Sequence, residues 1–109
     1  MSETITFDEF TKVDIRAGII LAAEAVPKSE LLKLQVDFGE LGVRQVLARI
    51  AKSYDPVSLI SLTAAFVVNL APRTMKGLES NGMVLAAEHD TGVALVILPG
   101  TVRPGTRLG

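Results

Sequence analysis

Cysteine and tryptophan are absent from the 109 residues, histidine occurs once, and only 5% of the residues are aromatic. Without cysteine there is no disulfide scaffold and no thiolate metal site, a composition that suits a reducing compartment. The single histidine, His89, stands beside Asp90 in the stretch HDTG. It lacks the partners of a catalytic triad or a metal cluster, and its neighbours read as plain turn residues. No apolar run approaches the roughly 18 residues that cross a bilayer, and the acidic opening MSETITFDEF is unlike a secretion signal. A cytoplasmic location is the expectation. The glycine-containing stretches GELG and SNG lack both the strand-loop-helix setting and the Lys-Ser/Thr pair of a phosphate loop. Asp8, Glu9 and Glu40 sit in polar surroundings with no apolar pocket in view to raise a carboxyl pKa. No metal, no cofactor and no catalytic activity are expected.

What is present points elsewhere. Hydrophobic residues make up 49% of the chain, so a single domain over residues 1–109 with an aliphatic core is predicted. So large an apolar share in so small a domain leaves surface to hide, which predicts a homodimer. The net charge is -1, but its distribution is uneven. Residues 1–43 carry four cations against eight anions, whereas residues 44–76 carry Arg44, Arg49, Lys52, Arg73 and Lys76 against Asp55 alone. A basic middle on an otherwise acidic chain can form a patch despite the near-neutral total.

Period-two patterning dominates the chain. Thr6 with Glu9 three residues later forms a capping box for a short helical turn, with Phe7 and Phe10 placed to dock on a core. Val13, Ile15, Ala17 and Ile19 share one face of a long first strand, and Gly18 within it predicts a bend or bulge. In LLKLQVDF, Leu32, Leu34, Val36 and Phe38 point inward while Lys33, Gln35 and Asp37 point out. GELG closes a hairpin onto a third strand, VRQVLARI. Asp55 is the N-cap candidate, with Pro56 at the first helical position, for a short helix to about Ile60. LTAAFVVNL reads as a buried fourth strand. NLAPRTMKGLESNGM, with its proline and glycines, reads as a crossing loop into MVLAAE, the turn HDTG and a last strand VALVILP. The tail GTVRPGTRLG shows only prolines and glycines as fixed points, and a C-terminal extension is expected from about residue 89.

About five strands, a long bent first one, and a helix between the third and fourth predict an all-β fold: a five-stranded OB-fold barrel. On such a barrel nucleic acid lies across the outer face of the second and third strands and touches the loops at one end. Lys33, Arg49, Lys52, Arg73 and Lys76 are placed to converge on one rim. The aromatics fall mostly where a core needs them, which disfavours a row of stacked bases and favours recognition of a folded RNA by shape and phosphate.

Four blocks, FTKVDIRAGIILAAEAV, LLKLQVDFGE, RQVLARIAKSYDP and NLAPRTMKGLESNGMVLAAE, resemble in order the tRNA-binding domain found at the C-terminus of many bacterial methionyl-tRNA synthetases. The same module is similar to free-standing structure-specific tRNA-binding proteins, to the cytokine-like domain of animal synthetases and to the secretion chaperone CsaA. The resemblance runs from about residue 7 to residue 107. It implies a dimeric OB-fold accessory that grips the outer corner of tRNA with little regard to sequence, with a possible aminoacyl-tRNA synthetase partner and no reaction of its own. It also implies nucleic-acid contacts at Lys33, Arg49, Lys52, Asn69, Arg73, Lys76, Ser80 and Met83. Structural rivals stand beside several of these: Asn69 as a backbone tie, Ser80 as part of a tight turn, and Met83 as core. The alternative is a CsaA-like export chaperone that binds peptides or preproteins. Asn69 followed by LAPR, and a tail that continues to Gly109, favour the synthetase branch. VPKSELLKLQV lacks a histidine, an asparagine and a lysine usual in that branch, while Arg49 is a gain.

Equilibrium sedimentation at micromolar concentration checks the predicted self-association: the expected mass is twice the 11.6 kDa of one chain, and a monomer overturns the expectation.

Overall fold

The computed structural model describes residues 3–109, which form an all-β chain with two short helices. The first of these is α1 (Phe7–Thr11). Thr6 Oγ1 accepts the Glu9 backbone N–H at 3.1 Å, and the Glu9 carboxylate accepts the Thr6 N–H at 3.1 Å. The capping box is therefore complete, yet α1 buries nothing: Phe7 is 77% exposed and Phe10 40%. The expected docking of both rings on the core does not occur within one chain.

The strands that follow are β1 (Ile15–Ala25), β2 (Leu32–Asp37), β3 (Val43–Ala48) and, after α2 (Pro56–Leu59), β4 (Thr63–Val67). Next come the hairpin of β5 (Arg73–Met75) and β6 (Leu78–Ser80), then β7 (Met83–Val84) and the hairpin of β8 (Ala86–His89) and β9 (Gly92–Leu95). β10 (Ile97–Leu98) and β11 (Arg107–Leu108) close the chain. The main sheet is antiparallel in the order β10-β4-β1-β2-β3, with β7 also on β4 and β11 on β1.

Alternation in β2 is realised residue by residue: Leu32, Leu34, Val36 and the following Phe38 are buried, while Lys33, Gln35 and Asp37 are only partly covered. These side chains meet Ile20, Val46, Leu59 and Phe66 in one core, where Phe38 and Phe66 pack edge to face with ring centroids 5.2 Å apart. α2 forms as its cap predicts, because Asp55 Oδ1 accepts the Val57 N–H at 3.2 Å and Pro56 needs no intrahelical donor bond; its Leu59 is fully buried.

Two features of β1 differ from the sequence expectation. The bulge lies between Ile20 and Ala22, not at Gly18. Gly18 serves instead as a contact surface: a Cβ there would lie 2.5 Å from Val36 Cγ1 and 2.7 Å from Phe38 Cε1. The tail is also held by more than its prolines. β11 pairs with the part of β1 that β2 leaves uncovered, and Arg16 ties it down by gripping Asp14 through two hydrogen bonds (2.7 and 3.2 Å) while donating to the Gly105 carbonyl at 3.1 Å.

The predicted closed five-stranded barrel is not realised as a continuous ladder. β3 has β2 on one edge and, among the described residues, no ladder partner on the other. Its outer edge is instead met by the chain between β6 and β7: the Asn81 N–H donates to the Gln45 carbonyl at 2.8 Å, and the Leu47 N–H donates to Ser80 Oγ at 2.9 Å. The Gln45 side-chain amide adds a bond to the Glu79 carbonyl at 2.9 Å. Gly82, at a φ of 149°, turns the chain away before a strand can form beside β3.

Gly18→Ala is expected to destabilise the protein by about 1–3 kcal/mol through overpacking against Val36 and Phe38, read as a lower denaturant midpoint. The hydrogen bond from Arg16, with the charges of Arg16, Arg107 and Arg44, holds the Asp14 carboxyl below its ordinary value of 3.8 against the opposing effect of burial. A carboxyl whose folded pKa is depressed adds stability in full above its unfolded pKa and loses it as pH falls through the folded one. The stability difference between the wild type and Asp14→Asn should therefore shrink as pH drops below 3.8, as measured by denaturation at stepped pH.

Candidate nucleic-acid interface

The stretch from Asn69 to Met83, expected as a crossing loop, contains a β-hairpin. Arg73 pairs with Ser80, Thr74 with Glu79 and Met75 with Leu78. Lys76 and Gly77 form its two-residue turn with φ of 52° and 76°, the positive values of a type I′ turn. Gly77 adopts this freely; Lys76 does so against its steric preference. Met75 and Leu78 pack on Val26, Leu31 and Leu47, a small apolar cluster separate from the main core. That contact folds the hairpin back toward β2 and β3 and brings Arg73 into the same cleft as Arg49, the residue after β3.

A cleft of about 370 Å³ results, with Arg49 and Arg73 among its walls together with Met75, Met83 and Glu88. Its lining comes from residues 47–50 at the end of β3 and just beyond it, from Arg73 and Met75 of β5, and from residues 83–86 and Glu88 of the chain through β7 into β8. Lys76 is exposed at the hairpin tip. Among the described residues, Arg49, Arg73 and Lys76 take part in no ion pair.

The other predicted contacts are placed differently. Lys33 pairs with Glu24 at 2.5 Å across the β1–β2 ladder, and Lys52 pairs with Glu30 at 2.8 Å. The hydrogen bond from Lys52, reinforced by its charge, draws the Glu30 carboxyl below its ordinary value. Asn69 braces the entry to β1: its amide nitrogen donates to the Lys12 carbonyl at 2.5 Å and its oxygen accepts the Asp14 N–H at 2.9 Å. Ser80 is buried, and its hydroxyl both accepts from Leu47 and donates to the Gly82 carbonyl at 3.1 Å. Met83 is 39% exposed and lines the cleft, against the preference of its residue type for the core. His89 is the last residue of β8, paired with Gly92 of β9 across the turn of Asp90 and Thr91. Among the described residues no group of three or more His, Cys, Asp or Glu side chains is arranged to hold a metal ion, and no helix is long and apolar enough to cross a membrane.

Sequence reading missed Met75 and Glu88 as cleft residues. Each stands in a strand of three or four residues, too short for its alternation to be recognised before the partner strand is known.

Comparison with known proteins shows the family of the chain. Residues 15–107 match the family model described as "Putative tRNA binding domain". The chain is 48% identical over 106 residues to a methionine–tRNA ligase of Methanococcoides burtonii and 44% identical over 110 residues to one of Porphyromonas gingivalis. These alignments cover 95% and 99% of this chain but only 16% of each ligase, so the chain spans about a sixth of the length of these relatives. Among solved structures, the MetRS related protein from Pyrococcus horikoshii superposes with a TM-score of 0.92 at 36% identity, covering 99% of this chain and all of that one. The chaperone CsaA of Bacillus anthracis superposes with a TM-score of 0.89 at 32% identity, covering 98% of this chain and all of that one. The chain belongs to the tRNA-binding-domain family.

Proposed function

We propose that the chain is a non-catalytic domain that binds tRNA by its folded shape, either as a free-standing protein or as the C-terminal accessory domain of a methionyl-tRNA synthetase. The observation that carries this reading is a cleft lined by Arg49 and Arg73, with Lys76 exposed at the tip of the hairpin that bears Arg73, all three free of ion pairs among the described residues of a chain whose net charge is -1. Phosphate contacts from such a rim position an RNA without reading its sequence. Stacking has little material: Phe38 and Phe66 are buried, and the Tyr54 hydroxyl accepts the Leu95 N–H at 3.0 Å. Shape and backbone therefore dominate over base readout.

In this reading the sheet is an OB-fold barrel whose last seam, between β3 and the β6–β7 connection, is closed by one backbone hydrogen bond and two from side chains in place of a ladder. Lys33 and Lys52 join the rim on exchanging their own carboxylates for phosphate, while Asn69 and Ser80 hold the scaffold that presents it. Met83 lies within reach of a bound nucleotide. The protein is a cytoplasmic homodimer, with exposed Phe7, Phe10 and Val13 near the N-terminus covered by the second copy.

A second reading is a CsaA-like export chaperone binding peptides or preproteins, favoured by the likeness to CsaA of Bacillus anthracis. Such a protein would use the exposed aliphatic surface and show no preference for folded RNA.

Bulk tRNA in a gel shift at about 0.15 M salt, where screening removes most non-specific attraction, decides between them. Binding is expected. Arg73→Ala should weaken it about equally for many tRNAs and reduce the slope of log affinity against log salt by about 1. Salt-insensitive binding, or equal affinity for unfolded RNA, overturns the tRNA reading.

A further inference from the structure

The cleft beside the rim offers more than charge. Its lining includes the buried, apolar Leu47, the thioether side chains of Met75 and Met83, and the exposed Arg49 and Arg73. Glu88 reaches the same space and, among the described residues, pairs with neither arginine. About 370 Å³ lies at the small end of the range for ligand pockets, roughly 300–1,000 Å³. Phosphate alone has no use for two methionines and a carboxylate, and the carboxylate would repel it.

We propose that this cleft receives one unstacked nucleobase bearing an exocyclic amine, with a phosphate next to it held at the mouth by Arg49 and Arg73. The inference rests on the RNA-binding reading above. Methionine sulfur makes favourable contact with the faces or edges of aromatic rings, so Met75 and Met83 replace the stacking aromatics that the surface lacks. A carboxylate accepts hydrogen bonds and donates none. Glu88 therefore suits the amino group of cytosine, adenine or guanine and disfavours uracil, whose single edge donor, N3–H, is flanked by two carbonyl oxygens that repel a carboxylate. An extended peptide fits the charge pattern less well, since its backbone supplies no anion for the paired arginines.

The test uses the full chain labelled with nitrogen-15, titrated with 5′-CMP, 5′-AMP, 5′-UMP and inorganic phosphate, with bulk-tRNA binding measured in parallel. CMP and AMP are expected to move the amide signals of Met75, Met83 and Glu88 and to bind about fivefold or more tightly than UMP, the lower end of what one good base-edge contact supplies. Glu88→Gln, a surface change that keeps shape and adds a donor, should erase that preference. Preserved tRNA binding with phosphate reproducing every nucleotide-induced shift overturns the base site and leaves the tRNA reading standing. Loss of both nucleotide and tRNA binding overturns both. An apolar peptide that displaces CMP at lower concentration than UMP does overturns the inference in favour of a peptide site.

Discussion

The outer edge of β3 is the constraint on which the arrangement turns. A strand edge carries backbone donors and acceptors that must be met, and in a small sheet the usual answers are another strand or water. Here the Leu47 N–H is met by a buried serine hydroxyl and the Gln45 carbonyl by the Asn81 N–H. Because Ser80 ends β6 and Gly82 turns the chain into β7, satisfying that edge also fixes where the β5–β6 hairpin stands. Met75 and Leu78 then find Leu31 and Leu47 beneath them, and Arg73 comes to face Arg49 across the cleft. One serine hydroxyl thus links closure of the fold to assembly of the basic rim.

The opposite end of the molecule shows the same economy with charge. Asp14 lies where α1, β1, β11 and the Asn69 side chain meet, and it binds Arg16 through a two-toothed contact of the kind that fixes geometry as well as energy. Arg16 passes the constraint to the tail through the Gly105 carbonyl, and Arg107 returns it to the first helix through the Thr11 carbonyl at 3.2 Å. Two arginines are consumed in this way, and Arg44 is tied to the Val68 carbonyl at 2.7 Å. Within the basic middle, Lys52 is spent on Glu30 and Arg44 on that carbonyl, which leaves Arg49 and Arg73 at the cleft and Lys76 at the hairpin tip with neither an ion pair nor a side-chain hydrogen bond among the described residues. Lys76 stands there at a positive φ that asparagine or glycine would occupy with less strain.

Much of the fold was legible because its signals are local. Thr6 and Glu9 are three residues apart, Asp55 and Pro56 are adjacent, and the alternation of Leu32 to Phe38 runs over four buried positions, so each could be read without knowing its partner. The β5–β6 hairpin was not legible, because three-residue strands carry too few positions for a period to show and because a Lys-Gly turn is an uncommon choice for positive φ at both places. Gly18 misled for a related reason. A glycine in a strand signals either a bulge or a close approach, and only the position of Phe38 across the sheet distinguishes them. The candidate contacts divide along the same line: the cations were visible as charges, but Asn69 and Ser80 looked alike in sequence to polar surface residues until their bonds to Lys12, Asp14, Leu47 and Gly82 appeared.

By itself the amino-acid sequence determined an all-β chain with an aliphatic core, two capped helical turns and a basic middle third, since periodicity, caps and net charge are properties of neighbours along the chain. Its ordered blocks also carried the family. Tertiary structure alone decided which cations are spent on carboxylates and carbonyls, that the tail is a strand of the main sheet, and that Arg49, Arg73, Met75, Met83 and Glu88 surround one space. Those outcomes depend on how segments far apart in sequence satisfy one another's backbone groups and apolar faces, and no window along the chain contains that information.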